Sequence, residues 1–68
     1  MIANDAELAV TQERIRWFQL QVALLRKSES NPANCRATAS GFLAEVDRMQ
    51  REVREFLSLH PAELPGAA

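Results

Sequence analysis

Apolar residues recur alternately three and four positions apart through most of this chain, in two runs. The first is Leu8, Thr11, Ile15, Phe18, Val22 and Leu25, and the second is Cys35, Ala39, Phe42, Val46, Met49, Val53 and Phe56. A mean spacing of 3.5 residues keeps one line of side chains turned toward a neighbouring helix along the whole length of a helix. The pattern therefore predicts an all-α chain of two amphipathic helices. The spacing breaks between Leu25 and Cys35, so the helices are separate elements joined by a short connection.

Local signals set the boundaries. Asn4 or Asp5 can cap the first helix, and Glu7 stands three residues after Asn4, the position of a capping-box acid. Arg26 and Lys27 suit the negative end of the helix dipole, which places the first helix at about residues 5–27. Ser28 to Asn31 carries no apolar periodicity and reads as the turn, about 28–31. Asn31-Pro32 then restarts a helix, an N-cap followed by proline at the first helical position. The second helix is expected over about 32–59, because Pro61 disfavours helical geometry at His60 and lacks the next backbone donor. His60 would cap its carboxyl end. Residues 1–60 thus form one helical hairpin, with 61–68 as a flexible C-terminal tail. At 1.5 Å per residue the helices span about 35 and 42 Å. So short a turn forces them antiparallel.

The seam residues expected to hold the fold are Leu8, Ile15, Phe18, Val22, Leu25, Phe42, Val46, Met49, Val53 and Phe56. The first helix also repeats Val10, Trp17 and Leu24 at seven-residue spacing, with Leu20 nearby. That second stripe lies about 130° around the helix from the seam, beyond the reach of a single neighbour. Leu43 and Leu57 similarly widen the apolar arc of the second helix. Both helices therefore call for more than one partner, and at 68 residues a single core gives only marginal stability. The expected architecture is an antiparallel two-helix hairpin dimerising into a four-helix bundle, with Val10, Trp17, Leu20 and Leu24 as a second interface. Gly41 costs about 1 kcal/mol relative to alanine inside a helix, so Trp17 or Phe18 is expected to pack against it.

Several function classes lose support on chemistry. A net charge of -1 offers phosphate backbones little, and the basic residues Arg14, Arg16, Arg26 and Lys27 are scattered and diluted by acids. Polar residues interrupt both helices well short of the roughly 20 apolar positions that span a bilayer, and Met1 to Asp5 lacks the features of a secretory signal. A cytoplasmic location is the resulting expectation. The single cysteine, Cys35, falls on the seam and reads as a small core residue, and no HxxxH, ExxH or CxxC element offers a metal site. Phosphate-binding glycine loops, nucleophile elbows and catalytic triads are absent. No enzyme, cofactor or metal role is expected.

Charges on the second helix alternate in sign, giving opposite pairs at i,i+4: Asp47 with Arg51, Arg48 with Glu52, and Arg51 with Glu55. Glu45 and Glu52, beside the seam, can also orient a partner helix. The stretch from Ala39 to Glu63, ASGFLAEVDRMQREVREFLSLHPAE, resembles small bacterial helical-hairpin proteins of unassigned function. The resemblance implies a short bacterial helical protein and brings no activity or site residue with it. The sequence thus points to a non-enzymatic protein-protein interaction module, a homodimeric hairpin whose further partner is another protein. Its alternative is a small regulatory subunit of the antitoxin or transcriptional-modulator kind, using a helical dimer and tail against a toxin or DNA. An amphipathic helix lying on a membrane surface is a third reading.

Phe18→Asp or Val46→Asp places a charge in the seam at a cost of about 3 kcal/mol or more, comparable with the whole stability of so small a chain. Each is expected to give a largely unfolded monomer by circular dichroism and sedimentation. Truncation after His60 should leave helicity and association unchanged in the same two measurements.

Overall fold

The computed structural model describes residues 1–63 and contains two long helices, α1 (Asp5–Ser28) and α2 (Pro32–Leu57), followed by a 3₁₀ turn at Pro61–Glu63. At 24 and 26 residues the helices are about 36 and 39 Å long and lie antiparallel against each other. There is no strand among the described residues. The molecule is a rod, with principal extents of 53 × 15 × 13 Å. Its radius of gyration is 15.4 Å, where a compact domain of this length would have about 11 Å.

The caps explain where α1 and α2 begin. Asn4 is extended, and its side-chain oxygen accepts from the Glu7 amide at 2.8 Å. The Glu7 carboxylate reaches back to accept from the Ala3 amide at 3.1 Å, one residue before the position a standard capping box would serve. At the turn, the Glu29 amide donates to the Leu25 carbonyl at 2.9 Å and ends α1. The Glu29 carboxylate then accepts from the Asn31 amide at 3.0 Å. Asn31 in turn accepts from Ala33 and Asn34 at 2.9 and 3.3 Å. Pro32 needs no such partner, since it carries no amide hydrogen. Three residues, 29–31, therefore reverse the chain with their orphan donors largely satisfied. No glycine is needed, because the C-cap is extended rather than left-handed.

Between the helices runs one apolar seam. Ala39, Val46, Met49 and Phe56 of α2 are buried. Cys35, Phe42 and Val53 are half-buried, as are Leu8, Thr11, Ile15, Phe18, Val22 and Leu25 of α1. The hydroxyl of Thr11 is satisfied within its own helix, donating to the Glu7 carbonyl at 2.8 Å. No residue of α1 is buried outright, since a helix with one neighbour keeps solvent on both flanks of its contact line. Phe18 and Phe42 meet across the seam with ring centroids 5.6 Å apart. Trp17 closes over them edge-on, 5.1 Å from Phe18 and 6.5 Å from Phe42. Such arrangements contribute about 0.5–1.5 kcal/mol per pair beyond area burial.

The structure departs from the sequence expectations at four places. Helix α2 ends at Leu57 rather than near residue 59. There the Ser58 amide makes the last i→i−4 bond, to the Arg54 carbonyl, its hydroxyl donates to the Glu55 carbonyl at 2.7 Å, and the Leu59 amide turns to the Phe56 carbonyl three residues back at 3.1 Å, so the helix tightens and stops short of Pro61. His60 accordingly does not cap α2. Its ring Nδ1 accepts from the Ala62 amide at 3.0 Å and its carbonyl from the Glu63 amide at 2.8 Å, which shapes the first part of the expected tail into the 3₁₀ turn. The rest of that tail, 64–68, lies outside the described residues. Gly41 also differs: a Cβ there would have nothing within 4 Å. One residue before Phe42 is a rotation of about 100°, which carries Gly41 off the seam, and Ala39 is the small residue the seam buries. Finally, Arg48 pairs with Glu45 at 2.6 Å as well as with Glu52 at 3.0 Å, while Arg51 pairs with neither Asp47 nor Glu55 among the described residues.

Open space at Gly41 makes Gly41→Ala a gain in helix propensity with no steric cost. It should stabilise the fold by about 0.5–1 kcal/mol, raising the thermal midpoint by several degrees for a chain of this size, as read by circular dichroism.

Candidate interaction surface

Once α2 covers the seam, the apolar residues of α1 that remain form a second heptad line on its outer side. Val10, Trp17 and Leu24 occupy one position of that repeat, and Ala6, Glu13, Leu20 and Lys27 the other. The side chains are well exposed, at 54% for Val10, 53% for Trp17 and Leu20, and 49% for Leu24. Because apolar residues occupy two faces of α1, that helix is less one-sided than α2, whose outer face is small or charged. The surface totals 5249 Å², against about 4,300 Å² for a compact monomeric protein of this mass.

Trp17 links this stripe to the fold. It is held edge-on against Phe18 and Phe42, so its indole is fixed in position by the seam while half of it faces solvent. A rigid aromatic on a helix face has little side-chain entropy left to lose on binding, which suits an interface anchor. Leu43 and Leu57 of α2 are exposed as well, at 44% and 62%, on the flank of α2 away from the Glu45 and Glu52 side.

A groove of about 490 Å³ opens where the chain start crosses the beginning of α1 and the end of α2. Its floor includes Ile2 and Met49, both buried, and its walls carry Glu7, Arg14, Arg48 and Glu52. Ile2 was not legible as a core residue, since it precedes the helix and belongs to no periodic pattern. An apolar residue shortly before an N-cap, as in a hydrophobic staple, is the signal that points to it. The groove is electrostatically balanced. Arg48 is clasped by Glu45 and Glu52, and the hydrogen bond to Glu45, with the charges of both acids, raises its pKa above the ordinary arginine value. Glu52 also stands 3.8 Å from the Met1 ammonium, and Glu7 is engaged in the cap. Three of the four charged walls are thus committed to internal partners, and Arg14, exposed and without an ion-pair partner among the described residues, does not by itself select a ligand.

Cys35 is a free thiol, half-buried on the seam. Among the described residues no three His, Cys, Asp or Glu side chains gather as a metal-binding group, and no helix is long and apolar enough to cross a membrane. The seam residues named from the sequence line the α1–α2 contact, whereas Val10, Trp17, Leu20 and Leu24 come together on the outer face of α1. No family model matches the chain, and no curated protein or solved structure shows significant similarity to it.

Proposed function

We propose that the chain is a non-enzymatic protein-protein interaction module that works as a homodimer, two hairpins pairing into a four-helix assembly. One observation supports this most strongly: α1 leaves four large apolar side chains half-exposed in heptad register on its outer face, where α2 touches only the edge of Trp17 through Phe42. Burying apolar surface is the dominant favourable term in association, and among the described residues no third long helix is present to do it. The apolar flank residues Leu43 and Leu57 extend the surface available for assembly or for a further protein partner.

Equilibrium sedimentation at micromolar concentration should report twice the chain mass of 7.6 kDa. On dilution the Trp17 emission should shift to the red as the indole becomes solvated. A compact, cooperatively melting monomer at the same concentration would refute the reading.

A further inference from the structure

We infer that the second copy seats on the outer stripe of α1, antiparallel to it, with Trp17 opposite Leu20 of the second copy across a two-fold axis; this rests on the self-association proposed above. The choice follows from the two charged residues within the stripe. Glu13 and Lys27 both occupy the repeat position shared with Leu20. Both are exposed, and neither has an ion-pair partner among the described residues.

Consider first two α1 helices paired in parallel. Equivalent positions then face each other, so Glu13 meets Glu13 and Lys27 meets Lys27, two like-charge contacts inside an apolar seam. In the antiparallel arrangement with Trp17 opposite Leu20, the next layers set Glu13 opposite Leu24 and Val10 opposite Lys27. Glu13 of one copy then lies within one helical turn of Lys27 of the other, and the two-fold axis makes that attraction twice. The flanks agree. Arg16 lies nearest Ala23 of the second copy and Arg14 nearest Gln21, and Glu13 stands one residue closer than Arg14 to Lys27 of the second copy. Shifting the antiparallel register by one heptad, to set Val10 opposite Leu20, brings the two Glu13 carboxylates together near the axis and loses both attractions.

The area is adequate. Val10, Trp17, Leu20 and Leu24 expose roughly 400 Å² of side chain per copy, and an interface whose core is about 65% apolar would then total about 1,200 Å², the lower bound for a specific complex. In the resulting assembly the four helices lie in a row rather than around one shared core: the two α1 helices form the centre, each α2 packs on the far side of its own α1, and the hairpin turns point to opposite ends.

Charge reversal separates this arrangement from association in general. Glu13→Lys and Lys27→Glu should each weaken dimerisation about tenfold by sedimentation, since each converts two attractions into two repulsions. The double variant should return to within about threefold of the starting affinity, and an equimolar mixture of the two single variants should form a heterodimer more readily than either forms a homodimer. Circular dichroism should show unchanged helicity throughout, because both positions lie on the outer face. A parent chain that dimerises while the single variants associate equally well, or a double variant weaker than both singles, would overturn the antiparallel seat and leave the dimer standing. A parent chain that stays monomeric would overturn both.

Discussion

Two packed helices share a single line of contact, and everything distinctive about this molecule descends from that constraint. A helix with one neighbour can shelter one stripe of side chains, and even that stripe stays partly wet along its edges. The result is visible in the burial pattern: Val46, Met49 and Phe56 are well covered while no α1 residue is buried outright, and no side chain among the described residues reaches complete burial. The aromatic trio of Trp17, Phe18 and Phe42 is the fold's way of concentrating contact at mid-length, where three rings interact across the helices at centroid distances of 5.1 to 6.5 Å. Removing the seam would leave two isolated helices. Each is long enough to form in principle, yet each would be marginal without an apolar face to bury.

The turn converts that contact into a defined hairpin. Glu29 and Asn31 satisfy backbone donors with their own side chains over only three residues, so the chain reverses without leaving amides unpartnered. At the other end, Asn4, Glu7 and the buried Ile2 fix where α1 begins and how the chain enters it. Length and register of the seam are thereby set from both ends by capping chemistry, while the apolar repeat determines only which faces meet.

That division also explains what could be read from the residues alone. The two helices, their antiparallel order and the seam follow directly from period and from Asn31-Pro32, because both signals are local and repeated. Ile2 escaped because a single apolar residue outside a helix has no period to announce it. Gly41 misled for a different reason: its cost inside a helix is a property of glycine, but the benefit that offsets it depends on rotation about the helix axis. A shift of one residue turns a close-packed site into open space. The end of α2 falls about two residues before the stop that Pro61 signals, because the Leu59 amide already turns to the carbonyl three residues back and the Ser58 hydroxyl takes the Glu55 carbonyl, a local rearrangement with no sequence pattern of its own. That Arg48 engages Glu45 in addition to the expected Glu52, while Arg51 pairs with neither Asp47 nor Glu55 among the described residues, is a matter of rotamers, which sequence spacing does not specify.

The outer face of α1 stands apart from these details because its logic is negative. A surface helix with no further role would carry polar residues where this one carries Val10, Trp17, Leu20 and Leu24, and α2 shows that the chain can do so: its own outer face holds Ala37, Ala44, Asp47 and Arg51, none of them a large apolar residue. The contrast between two helices of one hairpin, in the same solvent and of similar length, removes composition as an explanation. What differs is where large apolar side chains are left uncovered: on the outer face of α1, and only on one flank of α2. Within the apolar line of α1, Glu13 and Lys27 weaken simple stickiness, since each must find an opposite charge before it can be covered. Under the proposed self-association such a stripe would discriminate between orientations of an approaching helix as well as attract it, and specificity of that sort is what separates an interface from an exposed patch.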